Sequence, residues 1–284
     1  MDDEDALICC LSDFHSGGTT ALFPNETLHF DKGRNHSPNE KQLAMYIAFV
    51  EYANRVRKAR QGKRLIIVHN GDAIEGIHHG STEYVIPENR NQRMIHVHLM
   101  KEFMDIVKYG SNKNDKLFYV KGTEIHTADE ETVIGKKLGA EQAPDGLYAF
   151  DFLNLEVNNT NSWFVHHGPN PGKGANIHNS HVNWLKNQYF DCIREEQYPP
   201  NMIVTSHFHQ PLCSATVQEY KGDWFMLHGI ITPSWQQKTR YGNRVAPTQR
   251  NKVGLAYYTV TKGGDIRGWA TPYMMDDDDT PVKA

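Results

Sequence analysis

The chain has 284 residues, 39% of them hydrophobic, which is enough to bury a full core in one large domain. Thirty basic against thirty-four acidic residues leave a net charge of −4, which excludes the global basic field that drives nonspecific nucleic-acid binding. The acidic start MDDEDALICCLSD is the opposite of a basic secretory leader, and no run reaches membrane-spanning length, so a cytoplasmic protein without a membrane partner is expected.

The first expected element is a strand over Ala6–Leu11 (ALICCL), a continuous apolar run of the kind buried on both faces. Cys9 and Cys10 within it project to opposite sides. With Cys192 and Cys213 they show no CxxC spacing and read as reduced, buried thiols. Ser37 as cap, Pro38 at the first helical position and Glu40 three residues after the cap open a helix, whose face is Leu43, Tyr46, Ile47 and Val50. A second strand follows at Arg64–Val68, a second helix at Asn91–Tyr109 and a third strand at Lys116–Val120.

The second half reads as strands: AFDFLNLEV, NSWFV, MIVTS, CSATVQEY, DWFMLHG and GLAYYTV, interrupted by one helix around Val182–Cys192. The pattern predicts parallel pairing in the first half and antiparallel hairpins in the second. No linker divides it, so residues 1–284 are expected to form one α/β domain with short acidic tails, the DDDD at 276–279 among them.

Sixteen histidines are the compositional oddity, and they cluster in short phrases. Functional groups of α/β sheets collect at the carboxyl ends of strands. Taken in order, those ends read Asp13-Phe14-His15, Asn70-Gly71-Asp72, Gly122-Thr123-Glu124-Ile125-His126, His166-His167-Gly168 and Ser206-His207-Phe208-His209. Each phrase alone could be a cap, a turn or a solvated loop. Five strand ends that each deliver Asp, Glu or His point instead to one site. Carboxylates and imidazoles without a thiolate suit two divalent ions of the Mn, Fe or Zn type. His207 and His209, at i and i+2, would point to the same side if the backbone there stays extended, about 6 to 7 Å apart.

This series resembles the calcineurin-like metallophosphoesterases, whose order is Asp-x-His, Gly-Asp, Gly-Asn-His, a single His and Gly-His-x-His. NGDAIEG, KGTEIH and VHHG look like the phage and prophage branch, which would place the protein in a host cytoplasm. The resemblance implies a four-layer αββα sandwich of two mixed β-sheets flanked by helices, with a two-metal centre at the strand mouths. By position it assigns Asp13, His15 and His209 to one metal and Asp72 to the bridge. His207, His166 and the third-motif residue go to the other metal, with His167 as the alternative to His166. The third motif departs from the pattern. Literal alignment sets Thr123 at the family's Asn. One inserted residue makes Glu124 the ligand and His126 the proton donor, and this second reading is preferred because it supplies an oxygen ligand and keeps the acid. Glu75, His78 and His79 could line the pocket, and Lys173 and Arg240 could contact substrate.

The implied activity is hydrolysis of a phosphate ester by hydroxide shared between two divalent cations, manganese favoured and iron, zinc or nickel as alternatives. A nucleic-acid or nucleotide phosphodiester is the expected substrate. The alternatives are a phosphomonoesterase or protein phosphatase, and a non-catalytic scaffold of the same fold, which a decayed ligand set would mark.

Overall fold

The computed structural model describes residues 4–77, 82–124, 129–170, 176–239, 244, 252–268 and 273–274. In chain order its elements are β1 (Ala6–Leu11), the short pair β2 (Leu28–His29) and β3 (Asn35–His36), α1 (Glu40–Arg60), β4 (Arg64–Asn70), α2 (Asn89–Ile106), β5 (Lys116–Val120), α3 (Glu130–Leu138), β6 (Leu153–Val157), β7 (Thr160–His167), α4 (Ile177–Arg194), β8 (Met202–Ser206), β9 (Leu212–Tyr220), β10 (Asp223–Ile231), β11 (Lys252–Val253), β12 (Ala256–Val260), β13 (Ile266–Arg267) and β14 (Tyr273–Met274).

Two five-stranded sheets carry the architecture, ordered β13-β12-β1-β4-β5 and β6-β7-β8-β10-β9. In the first, β1, β4 and β5 run parallel, β12 pairs antiparallel with β1, and β13 pairs antiparallel with β12. Side chains of β1 and β4 alternate between two cores, as the pleat requires. Leu7, Cys9, Leu11, Leu65 and Ile67 pack outward against Met45, Phe49 and Tyr52 of α1 and Met100 and Phe103 of α2. Ile8, Cys10, Ile66 and Val68 pack inward with Phe164, Met202, Val204 and Ile230 of the second sheet. On that sheet's far side, Ile203, Phe225 and Leu227 cover Leu185 and Tyr189 of α4. The layers are therefore helix, sheet, sheet, helix, and the αββα expectation holds. All four cysteines are free, with Cys9 and Cys10 facing different cores as their adjacency requires.

Several local expectations are corrected. The cap of α1 is Asn39, whose side chain accepts from the Gln42 amide while the Gln42 side chain accepts from the Asn39 amide. This reciprocal box shifts the start two residues beyond Ser37. The second sheet is not purely antiparallel: β7·β8 and β8·β10 are parallel, because α4 serves as the crossover between β7 and β8 and β9 folds back as the outer edge. Strand β4 runs two residues past Val68, α2 spans Asn89–Ile106, α4 begins five residues before Val182, and α3 was not expected. Among the described residues no helix is long and apolar enough to cross a membrane.

Candidate metal centre

The loop after β1 lies along the loop after β4, held by the amides of Asp13, His15 and Ser16, which donate to the carbonyls of Gly71, Asp72 and Ala73 at 3.0, 3.0 and 3.1 Å. This lacing carries the two carboxylates to the floor of one depression, where Asp13 and Asp72 are fully buried. The turns that aim the side chains are steep: Asp13, His15, Asp72, His207 and His209 all have left-handed backbones, with φ of 50, 44, 51, 71 and 51°. Non-glycine residues in that region cost of order 1–3 kcal/mol each and persist where the surroundings over-determine them, typically at functional sites. The same torsions correct the expectation of an extended His-x-His. Strand β8 ends at Ser206, and the two imidazoles are sent to different neighbours.

His209 Nε2 faces Asp13 Oδ1 at 3.4 Å and its ring meets that of His15 at 5.2 Å. His15 Nε2 is 3.7 Å from Asp72 Oδ2, while its Nδ1 is 3.1 Å from Glu75 Oε2, which also accepts from Gln236 Nε2 at 2.7 Å. A carboxylate behind an imidazole fixes tautomer and ring direction, the arrangement found behind ligating histidines. His166 Nε2 lies 3.1 Å from Asp72 Oδ2, and its Nδ1–H donates to the Asn70 carbonyl at 2.7 Å. His207 Nδ1 is 3.9 Å from the same Asp72 oxygen. The candidate ligand atoms fall into overlapping triads, Asp13–His15–His209, Asp13–Asp72–His166 and His166–His167–His207, each within 4.8 Å.

Two glycines permit the approach. A Cβ on Gly71, whose φ is +90°, would meet His166 Nδ1 at 2.3 Å, and one on Gly122 would meet the Asp72 amide nitrogen at 2.2 Å. Beneath the ligands, Asn70 Nδ2 donates to the Val165 carbonyl at 3.1 Å and to Ser206 Oγ at 2.7 Å. Thr232 Oγ1 donates to Ser206 Oγ and lies 2.6 Å from Ser12 Oγ. This buried chain of amide and hydroxyl groups ties the two sheets together at the strand mouths.

Charge balance in the depression depends on the imidazoles. Burial alone would raise the Asp72 carboxyl, but hydrogen bonds from His166 and His207 hold it well below the usual carboxylate range. Asp13 is likewise lowered, burial being outweighed chiefly by His209. Burial works against protonation of His15, yet the Glu75 hydrogen bond raises its pKa to about 9; His166 reaches about 9 against the same burial through Asp72. Buried carboxylates held ionised by protonated imidazoles form a site in which cations can take the place of those protons. Asp13 Oδ1, fully buried, has His209 Nε2 at 3.4 Å as its facing group. The donor set, hard carboxylate oxygen and borderline imidazole nitrogen without thiolate, fits divalent metals.

Of the expected site residues, Asp13, His15, Asp72, His166, His207 and His209 come together, and His167 joins them. Glu124 is exposed and belongs to none of the triads. In its stead the Thr123 amide donates to Asp72 Oδ1 at 2.7 Å, and Thr123 Oγ1 sits among His166, His167 and His207. The literal alignment of the third motif, with Thr123 at the Asn position, describes the geometry better than the insertion does. His126, Lys173, Arg240, His78 and His79 lie outside the described residues. Asn70 and Gln236 were not anticipated. Asn70 sits inside the HNGD phrase, where its amide could have been noticed, whereas Gln236 stands 161 residues from Glu75 with no local signal.

No family model matches the sequence, and no curated protein does. Among solved structures, vacuolar protein sorting 29 from Cryptosporidium parvum is 13% identical over 96% of this chain and 100% of its own, with a TM-score of 0.36. The protein TM1076 from Thermotoga maritima is 14% identical over 95% and 98%, with a TM-score of 0.33. Overlays this loose carry no weight for fold or function, which rest on the geometry above.

Proposed function

We propose that this protein is a metal-dependent phosphoesterase of the calcineurin-like kind, with phosphodiesters of nucleic acids or nucleotides as its substrates. The observation that carries the reading is the convergence of three overlapping triads of Asp and His from four separate strand ends, three of them on backbones wound into the left-handed region. Asp13, His15 and His209 would hold one divalent cation, His166 and His207 the other, and Asp72, within reach of His15, His166 and His207, would be shared. Cations held there supply polarisation of the phosphoryl oxygens and neutralise charge that develops on them during displacement.

The chain's own residues do the positioning. Glu75 aims His15, and the Asn70 carbonyl aims His166, so each presents Nε2 to Asp72. Asp13 and Asp72 form a dry floor, whereas the His207 and His209 side chains are 32% and 30% exposed and form the rim that an anionic ester meets first. His126 would give a proton to the departing oxygen only on the inserted alignment of the third motif, which the placement of Thr123 does not favour. The finer likeness to the phage and prophage branch rests on the phrases NGDAIEG, KGTEIH and VHHG alone.

The test is hydrolysis of an aryl phosphodiester beside the matching monoester, using protein stripped of metal and reloaded with manganese. Metal-dependent turnover of the diester is expected. Monoester preference would replace the diesterase by a phosphatase, and inactivity toward both with metal demonstrably bound would favour a scaffold.

A further inference from the structure

Thr123 Oγ1 lies 3.4 Å from His166 Nε2, 3.5 Å from His167 Nε2 and 3.4 Å from His207 Nδ1. Four donors around a cation at bond lengths of about 2.0–2.1 Å stand at tetrahedron vertices roughly 3.4 Å apart. The hydroxyl thus stands at ligand spacing from three imidazoles and, at 3.3 Å, from Asp72 Oδ2. The three rings close on one another, with centroids 5.0 Å apart for His166 and His167, 5.4 Å for His166 and His207, and 4.4 Å for His167 and His207. Consecutive residues of a regular strand point to opposite faces, so His166 and His167 should diverge. They converge because β7 carries a register irregularity between Phe164 and His167, against β8. Bulges of this kind re-aim side chains beside functional sites.

We propose that both histidines of the doublet are ligands, so that three imidazoles, His166, His167 and His207, join the Thr123 hydroxyl and the shared Asp72 in an imidazole-rich position selective for a borderline cation such as zinc, nickel or cobalt. The proposal deepens the metal-centre reading above and depends on it. With Asp72 shared, the neighbouring position has a second carboxylate, Asp13, beside His15 and His209 and is the harder of the two. Imidazole favours Zn, Ni and Cu over Mn, and oxygen donors narrow that gap. The two positions consequently differ in preference, the imidazole-rich one discriminating against manganese.

The experiment is equilibrium dialysis of the full chain against zinc alone and manganese alone, with elemental analysis, for the parent, His167→Ala and Asp13→Asn. His167 is exposed, so truncation there leaves the packed core intact; His167→Gln and a melting curve guard against a misfolded variant. Parent protein should hold two zinc ions and discriminate against manganese at one position. His167→Ala should weaken one zinc by at least about a hundredfold, the upper end for losing a mere outer-shell partner, and lower the zinc-to-manganese preference. Asp13→Asn should weaken the other ion instead. In the cobalt(II) form, His167→Ala should alter the visible absorption bands. Two zinc ions retained unchanged by both His167 variants would overturn the role of His167 while leaving the metal centre standing. No cation bound by the parent would overturn both readings.

Discussion

Gly122→Ala isolates the placement of Asp72, the proposed bridging carboxylate, without touching a proposed ligand. The added Cβ would lie 2.2 Å from the Asp72 amide nitrogen, 2.4 Å from its Oδ1 and 2.9 Å from its Cα. Ordinary contacts of a Cβ are 3.4–4 Å, so Asp72 or the Gly122 strand end must retreat by about 1 Å. Backbone strain does not enter, since Gly122 is not in the left-handed region. The Thr123 amide, which donates to Asp72 Oδ1 at 2.7 Å, moves with it. Overpacking of this size costs roughly 1–3 kcal/mol of stability, and misplacing a reacting group by 1 Å costs about 10²-fold in rate. The assay is metal retention and diester turnover beside a melting curve. Gly263→Ala, whose Cβ would find its nearest neighbour at 3.7 Å, serves as control. The expected result is a fall of about 10² in turnover with weakened cation binding, and a neutral control. Parent-like turnover and retention in Gly122→Ala would refute the claim that Asp72 must stand where it does.

The pH behaviour of the metal-free protein follows from the raised imidazoles. His15 and His166 have folded pKa values of about 9 against about 6.5 unfolded, so their stabilisation is full below pH 6.5 and is lost as pH rises through 9. Melting temperature should decline over that window; Glu75→Gln should flatten the decline, and an unchanged slope would remove Glu75 as the partner of His15. Because cations need neutral imidazoles, uptake at pH 7 should release protons and apparent affinity should climb toward pH 9, as calorimetry in buffers of different ionisation enthalpy would register. His96 is depressed to about 3 by burial, so the unfolded chain takes up its proton first as pH falls below 6.5. Acid lability should set in between 6.5 and 3, and His96→Gln should lessen it. A melting curve of that variant as acid-sensitive as the parent's would count against the assignment.

The sandwich was legible because buried parallel strands announce themselves as unbroken apolar runs, and ALICCL and KLFYV fix β1 and β5 to the residue. The ends of α1 were not, since Ser37 and Asn39 are both good caps and only the reciprocal bonds between Asn39 and Gln42 decide between them. Asp13, His15, Asp72, His207 and His209 could be listed from their spacing. Their left-handed torsions could not: those of Asp13, His15 and Asp72 go with the lacing between the β1 and β4 loops, and those of His207 and His209 with the turn that follows β8. Sequence alone favours Glu124 over Thr123 as the donor because it carries a carboxylate; the backbone instead places Thr123 over the imidazoles and turns Glu124 to solvent. The strand irregularity that brings His167 beside His166 is likewise a property of the β7·β8 register, invisible in VHHG.

The cluster straddles a seam. Asp13, His15 and Asp72 hang from the first sheet, while His166, His167, His207 and His209 hang from the second, and a few hydrogen bonds centred on Asn70, Ser206 and their hydroxyl neighbours stitch the mouths together below. A cation bridging that seam would act as a rivet through both sheets, adding about 2.7 kcal/mol at a hundredfold excess over its dissociation constant. Opening of the sandwich would then have to wait for ion loss, so a chelator would shorten the lifetime of the folded chain as well as silence it.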